Sequence, residues 1–237
     1  MKRARVVGRG RAGGSLAAAL QSVGWEVELL AGGDPDVTGA GAEVDVVLLC
    51  VPDAAVRDVA GRVSPSEAAL VHVSGALGLD VLAGHNRVGS IHPLVSMPSV
   101  DIGAARLVDG ATFAVAGDPV THEIVRALGG REIVVADEDR ATYHAGAVIA
   151  SNHLVGLLGQ VERVAATIGL TLDDYLGLVR GTLDNVARIG PRLALTGPAA
   201  RGDRATIDRH RAALDPSELP AYDALSEACR RLAAAEP

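Results

Sequence analysis

The first sixteen residues contain the pattern that most constrains the fold, a G-x-G-x-x-G motif directly after a short apolar run. In such a motif Gly8 permits a tight turn off a strand, Gly10 leaves room for a ligand near the backbone, and Gly13 lets the next helix pack closely on the sheet. An Ala- and Leu-rich helical pattern follows at once. A helix N-terminus in this position favours phosphate binding, so the sequence predicts a dinucleotide site at residues 8–13. The alternative is a tight turn in an α/β protein that binds no nucleotide.

Strand and helix signals alternate through the first part of the chain. Strand-like runs lie at 4–7, 26–30, 45–51, 68–73, 112–115 and 132–135, and helical patterns at 14–23, 54–63 and 120–128. Such alternation predicts a Rossmann-type α/β fold with a mainly parallel, doubly wound sheet. Only helical patterns follow, at 139–169, 172–195, 204–214 and 218–234. We therefore predict a dinucleotide-binding domain at 1–137 and an all-helical domain at 138–237, which would bind substrate and form a dimer.

Composition excludes several functional classes. A formal net charge of −7 and few aromatic residues argue against a nucleic-acid surface. Uncharged apolar stretches are too short for a membrane span, and the two cysteines fall in separate predicted elements, which favours reduced thiols. The spacing of Cys and His does not suggest a metal site. We expect a cytoplasmic protein that binds a small molecule and has no metal, nucleic-acid or membrane partner.

The end of the second predicted strand indicates which dinucleotide is bound. NAD-specific sites place an Asp or Glu there to hold the ribose hydroxyls, but this chain has Ala31-Gly32-Gly33. A small, neutral strand end leaves room for a 2′-phosphate, and Arg9 and Arg11 lie close enough in sequence to pair with phosphate groups. The sequence therefore predicts NADP as the cofactor. The alternative for both arginines is solvated surface charge.

Two short segments carry candidate catalytic side chains. Ser74 follows a predicted strand, and His92 precedes Pro93, which favours an extended backbone and holds the ring in place. A Ser and His pair can move a proton at a carbonyl or alcohol centre, and Lys2 is the only lysine in the chain. We predict that His92, with a pKa near neutrality, donates the proton and that Ser74 orients it or the substrate oxygen. The alternative for His92 is a turn histidine bonded to backbone.

The helical region adds candidate substrate-binding groups. Asn152 interrupts an apolar helix pattern and is a candidate to bond the substrate or the nicotinamide amide, with a helix–helix hydrogen bond as the alternative. Thr196, Arg201 and Asp203 lie in a loop rich in turn-forming residues. Arg201 and Asp203 are candidates to hold a substrate carboxylate or to pair with each other. Asp203 also has the position of a helix N-cap.

Six segments together resemble a known family. They are G-R-G-R-A-G at 8–13, C-V-P-D at 50–53, H-V-S-G at 72–75, I-H-P-L at 91–94, A-S-N-H-L at 150–154 and A-L-T-G-P-A-A-R-G-D at 194–203. The chain resembles two-domain Rossmann-like oxidoreductases with a helical C-terminal domain, related to 6-phosphogluconate dehydrogenase, ketopantoate reductase, pyrroline-5-carboxylate reductase and prephenate dehydrogenase. Among the residues of these segments, we assign Val51 and Pro52 to the cofactor site.

The resemblance implies specific roles for some of these residues. Prephenate dehydrogenases carry a strand-end Ser and a later His-Pro at the substrate hydroxyl, and Ser74 and His92 match that pair. Ketopantoate and hydroxyisobutyrate enzymes instead use a helix Lys four residues before an Asn. Asn152 matches the Asn, but Val148 occupies the Lys position, which favours His92 as the proton donor.

The resemblance also implies an activity and an assembly. The leading interpretation is an NADPH-dependent reductase of a small 2-oxo acid or related carbonyl, with ketopantoate as one candidate. The first alternative is an imine reductase or prephenate-type dehydrogenase, and the second is a non-catalytic, NADP-sensing or partner-binding module. Relatives form intertwined dimers through their C-terminal helices, and the apolar stretch 145–158 suits a homodimer interface.

Overall fold

The computed structural model describes residues 1–235. The chain divides into two compact units, an N-terminal unit over Met1–Ser151 and a C-terminal unit that begins at Asn152. The predicted domain boundary at residue 137 lies closer to the N-terminus than this division.

The N-terminal unit contains one seven-stranded sheet in the order β2-β1-β3-β4-β5-β6-β7. The strands are β1 (Arg3–Val7), β2 (Glu26–Leu30), β3 (Val46–Leu49), β4 (Ala69–His72), β5 (Val88–Pro93), β6 (Thr112–Gly117) and β7 (Arg131–Val134). Neighbouring strands are parallel except for β5 and β6, which are antiparallel. The prediction of a Rossmann-type, mainly parallel sheet is therefore confirmed.

Helices connect the strands and make up the C-terminal unit. They are α1 (Arg11–Ser22), α2 (Asp53–Arg62), α3 (Val100–Leu107), α4 (Val120–Ala127), α5 (Arg140–Val148), α6 (Leu154–Ala166), α7 (Asp173–Ala194), α8 (Pro198–Arg201), α9 (Arg204–Ala213) and α10 (Leu219–Ala234). A π turn over Ile149–His153 joins α5 to α6. The described part of the C-terminal unit contains no strand, as predicted.

Apolar side chains cover both faces of the sheet. Alternate residues of a strand point to opposite faces, so β3 contributes Leu48 to one buried cluster and Leu49 to the other. Leu16 of α1 and Ile124 of α4 pack in the first cluster, and Val59 of α2 packs in the second. Burial on both faces explains why the central strand β3 has a continuous apolar sequence.

Two elements of the N-terminal unit were not predicted from the sequence. Strand β5 carries Gly89, Ser90 and a terminal Pro93, which dilute the β-branched pattern of a strand. Helix α3 is only eight residues long, contains Gly103, and packs against α1. Both elements are stabilised by tertiary contacts more than by local sequence preference.

No helix within residues 1–235 is long and apolar enough to cross a membrane. The same residues contain no cluster of three or more His, Cys, Asp or Glu side chains that could hold a metal ion.

Candidate active site

The glycine turn between β1 and α1 has the geometry expected of a dinucleotide-binding loop. Gly8 has a φ of +123°, and a Cβ there would lie 2.2 Å from the carbonyl oxygen of Cys50. A Cβ on Gly13 would lie 1.9 Å from the Gly8 carbonyl oxygen. A Cβ on Gly10, in contrast, would have no atom within 4 Å. The fold therefore requires Gly8 and Gly13, whereas the open space at Gly10 is available to a ligand.

The N-terminus of α1 faces this turn without a protein anion. Gly10 is the N-cap residue, so no side chain accepts a hydrogen bond from the first turn, and that turn contains no acidic residue. The first N–H groups of a helix lack intrahelical partners and carry the positive end of its dipole. This end of α1 can therefore bind a phosphate, to which its free N–H groups would donate.

Arginine side chains border the loop after β2, where the sequence predicts space for a 2′-phosphate. Arg62 donates to the carbonyl oxygens of Gly32 at 2.7 Å and Asp34 at 2.6 Å. Arg9 donates to the Leu29 carbonyl oxygen at 3.3 Å, and both Arg9 and Arg11 are exposed. Sequence reasoning missed Arg62 because it lies 30 residues beyond Gly32 in the chain.

A cleft of about 250 Å³ lies beside the glycine turn. Its lining includes Ala12 of α1 and Val51 after β3, together with the polar side chains of Ser74, His92 and His144. The candidate cofactor loop and two of the predicted catalytic residues thus border one cleft within the N-terminal unit. Pro52 follows Val51 as the exposed N-cap residue of α2.

The His92 ring is held between side chains of α5. Its Nδ1 lies 2.7 Å from the Tyr143 hydroxyl oxygen, and the rings of Tyr143 and His144 both pack edge-on against it, with centroids 5.6 and 5.8 Å away. Gly75 packs against two of these rings, because a Cβ there would lie 2.9 Å from His92 Cε1 and 2.8 Å from His144 Cδ2. These contacts fix the imidazole at the cleft.

Ser74 has partners other than the one predicted. Its Oγ accepts hydrogen bonds from the backbone N–H groups of Ala76 at 3.1 Å and Leu77 at 3.2 Å, so its oxygen serves the turn after β4. The prediction that Ser74 orients His92 does not match these contacts, since Tyr143 is the residue that hydrogen-bonds the ring. The hydroxyl hydrogen of Ser74 can still donate to another acceptor.

Burial shifts the pKa values of both His92 and Tyr143. Burial, together with the neighbouring His144 and Arg140, lowers the pKa of His92 to about 4, while Asp53 opposes these effects. The predicted pKa near neutrality is wrong, because desolvation disfavours the imidazolium. Burial likewise raises the pKa of Tyr143 to about 12. His92 and Tyr143 are therefore both uncharged at pH 7.

A buried cation lies behind this pair. Arg140 is fully buried, donates to Asp137 Oδ1 at 3.0 Å, and donates to the Ser90 hydroxyl oxygen. Its Nη1 has no hydrogen-bond partner among the described residues. His72 is a core side chain, with Nε2 3.3 Å from the Gly78 carbonyl oxygen. The pKa of His72 is lowered to about 4, mainly by burial and secondly by the positive charge of Arg140.

The remaining predicted site residues belong to the C-terminal unit. Asn152 lies in the π turn, a feature often found at functional sites. Asp203 caps α9, because its carboxylate accepts from the Thr206 N–H at 3.1 Å and the Thr206 hydroxyl at 2.8 Å. Arg201 ends the short helix α8 and is exposed, as is Thr196. The predicted cap is confirmed, and the substrate roles of these residues stay predictions.

Several solved structures have the same fold as this chain. Protein TM1727 from Thermotoga maritima is 25% identical with a TM-score of 0.74, and the match covers 97% of this chain and 98% of that one. BF3122 from Bacteroides fragilis, provisionally named an NADP oxidoreductase, is 20% identical with a TM-score of 0.82 over 97% and 98% of the two chains. The pyrroline carboxylate reductase of Plasmodium falciparum, solved with NADP bound, is 12% identical with a TM-score of 0.63 over 98% of each chain.

These likenesses extend over nearly the whole chain and include NADP-binding reductases with a Rossmann-type fold. No curated protein matches the sequence. The relation to ketopantoate reductase and 6-phosphogluconate dehydrogenase stays a prediction. Residues 111–229, half of the chain, match a family described as a domain of unknown function, DUF2520. The chain therefore belongs to the DUF2520 family.

Proposed function

We propose that this protein is an NADP-dependent reductase of a small carbonyl compound, with a 2-oxo acid as the first candidate. The observation that carries the proposal is the shared cleft, in which His92 lies beside the glycine turn. A fold alone does not define an activity. Here the open position at Gly10, the uncapped α1 and a fixed, uncharged imidazole occur together in one place.

The chain's own residues fit a bound dinucleotide. The first turn of α1 would hold the pyrophosphate, with Val51 and Pro52 beside it, because no side chain competes for those N–H groups. Arg9 and Arg62, at the loop after β2, would pair with a 2′-phosphate, with Arg11 as a further cation. When bound, NADPH supplies the hydride that a carbonyl reduction requires.

The proton that reaches the substrate oxygen would come through His92 and Tyr143. A neutral phenol donates its hydrogen to Nδ1, which leaves the hydrogen of the imidazole on Nε2. As the substrate carbon gains the hydride, its oxygen takes the Nε2 proton and Nδ1 takes the Tyr143 proton. One solvent proton then goes to Nε2, and Nδ1 gives its proton back to the tyrosinate, which restores the starting state. Arg140 assists this step by lowering the pKa that burial has raised in Tyr143.

Several polar side chains are candidates for substrate binding. Ser74 retains a free hydroxyl hydrogen for the substrate oxygen, since its contacts use the oxygen as acceptor. We assign Arg201 to the carboxylate of a 2-oxo acid, because a guanidinium binds a carboxylate with two parallel hydrogen bonds. Thr196 and Asn152 would provide further polar contacts, and Asp203 would keep the α8–α9 segment in shape as the cap of α9.

Imine reduction is the second candidate, and Asp53 favours it. Among the described residues that line the cleft, Asp53 is the acidic side chain and none is Arg or Lys. A carboxylate attracts a protonated imine and repels a substrate carboxylate. The structurally similar protein from Plasmodium falciparum is named a pyrroline carboxylate reductase, and a pyrroline ring contains a C=N bond.

Oxidation of NADPH in the presence of substrate panels tests these proposals. One panel contains 2-oxo acids including ketopantoate, the second contains uncharged ketones and aldehydes, and the third contains cyclic imines. We expect turnover with a carbonyl panel and a loss of about 100-fold in kcat for His92→Ala, with unchanged NADPH affinity. His122→Ala is the matched control, since His122 is a surface residue bonded to Glu132. Binding of NADPH without turnover on any panel would contradict an enzymatic role and favour a sensor.

We also propose that a second copy of this chain covers the C-terminal helices. Leu178, Val186 and Ile189 lie on one face of α7 by their spacing and are 70%, 37% and 51% exposed. On α6, Val155 is 70% exposed. Contiguous exposed apolar residues of this kind mark interaction surfaces, and a symmetric pair is the commonest assembly that buries such a surface against itself.

A further inference from the structure

We infer that Arg140 is a positioning residue that ties α5 to β5 and thereby holds the Tyr143 phenol against His92. The inference deepens the proposed function and rests on it for the role of the His92–Tyr143 pair. Nothing in the sequence patterns pointed to Arg140, which lies 50 residues from its partner Ser90.

Two parallel hydrogen bonds connect the strand to the helix. On β5, Ser90 and His92 are two residues apart, so their side chains share one face of the strand. On α5, Arg140 and Tyr143 are three residues apart, so they share one face of the helix. Arg140 donates to Ser90, and Tyr143 bonds His92 at 2.7 Å. Loss of the first bond would therefore allow the helix to shift at the second.

Burial of Arg140 has a cost that a packing role does not explain. Its side chain is 1% exposed, and its ion-pair partner Asp137 is 45% exposed and also accepts from the Leu79 N–H. Nη1 lies buried without a partner among the described residues. A buried donor without a partner destabilises a protein, because its lost hydration is not replaced. An apolar side chain of similar length would fill this space without that penalty, so the cation has another use.

The charge of Arg140 acts on the same pair. His92 is faced by Asp53 from α2, by His72 from β4, and by Arg140, Tyr143 and His144 from α5. Within this group Asp53 favours the imidazolium and Arg140 disfavours it. Arg140 thus adds to burial and to His144 in keeping His92 in the uncharged state that can accept the Tyr143 hydrogen.

The test compares Arg140→Met and Arg140→Lys with the natural protein. We expect Arg140→Met to lower kcat about tenfold or more with NADPH affinity unchanged, and to move the His92 titration midpoint, followed by NMR of the ring, upward. Arg140→Lys retains the positive charge but not the planar guanidinium with its several donors. It should therefore keep the low titration midpoint of His92 and recover only part of kcat. Arg131→Met is the matched control, because Arg131 also donates to a hydroxyl, that of Thr112, but at the surface.

Ser90→Ala keeps the test decisive should Arg140→Met fail to fold. This variant removes one partner of the strand–helix connection without a change of charge, and we expect a smaller loss of kcat and altered Tyr143 ring signals. Wild-type kcat and an unchanged His92 midpoint in Arg140→Met, or wild-type kcat and Tyr143 signals in Ser90→Ala, would overturn the inference. The NMR measurements need no substrate, so they test Arg140 even if no panel supports turnover and the proposed function fails.

Discussion

The two units of this chain differ most in where their apolar side chains lie. In the N-terminal unit, Leu48, Phe113 and Ile124 are completely buried, and both faces of the sheet are covered. In the C-terminal unit, Ala165 is the one buried hydrophobic residue among those described, whereas Leu178 is 70% exposed. The first unit therefore encloses its own core, whereas the second, taken by itself, leaves most of its apolar side chains at least partly exposed.

The same difference separates two groups of the residues that we propose to be functional. His92 and Tyr143 lie in a unit whose core fixes their positions, so their geometry is defined by one chain. Arg201 and Thr196 lie in a unit with little buried surface of its own. The positions of Arg201 and Thr196 would therefore depend on the surface that covers the helices of this unit. We then expect substrate binding to depend on assembly more strongly than cofactor binding does.

The largest expected effect is loss of assembly. We expect the natural protein to sediment as a dimer at micromolar concentration and the double variant Leu178→Glu/Ile189→Glu to sediment as a single chain, because four buried charges cannot be paired across the interface. Val134→Glu is the matched control, since Val134 is 77% exposed in the N-terminal unit. A monomeric natural protein, or a double variant that stays dimeric, would contradict the proposal that a second copy covers the exposed apolar side chains of the C-terminal unit.

A pair of leucine truncations compares the two units directly. Leu48→Ala should lower the free energy of unfolding by about 2–5 kcal/mol at any protein concentration, because it leaves a cavity in a closed core. Leu178→Ala should lower stability only through assembly, so its effect on the urea midpoint should depend on protein concentration. Equal, concentration-independent losses for both variants would show that the units do not differ in this way.

Acid should destabilise the N-terminal unit through its buried histidines. The pKa values of His72 and His92 are lowered to about 4 in the folded protein, so the unfolded chain binds more protons below pH 6.5. The contribution of these histidines to the free energy of unfolding is therefore fully present above pH 6.5. It decreases as the pH falls towards 4, by on the order of 1 kcal/mol per pH unit for each histidine. Urea titrations from pH 7 to 4.5 measure this slope, and His92→Gln should reduce it.

The local features of the fold could be predicted from the sequence. The second strand was predicted over the residues that form β2, because a short alternation of charged and apolar residues beside turn residues is a local signal. The glycine turn and the Asp203 cap were predictable for the same reason, since each depends on residues close together in the chain. The helix predicted over 139–169 is present as α5, the π turn and α6.

Features that depend on distant contacts could not be predicted. The bond from Arg140 to Ser90 joins residues 50 apart, and the low pKa of His92 results from burial that no local pattern reports. An apolar helix face also looks the same in sequence whether its partner is in the same chain or in another. The exposure of Leu178 therefore became visible only in the structure.

Binding of NADPH to the natural protein and to Gly10→Asp tests the central claim most directly. A Cβ at position 10 meets no atom within 4 Å, so the variant should fold normally, while its carboxylate would repel the pyrophosphate at the N-terminus of α1. In fluorescence titrations we expect NADPH to bind the natural protein more tightly than NADH, a loss of about 100-fold or more for Gly10→Asp, and a much smaller loss for Gly10→Ala. Unchanged NADPH affinity in a folded Gly10→Asp variant, or no binding to the natural protein, would contradict the account.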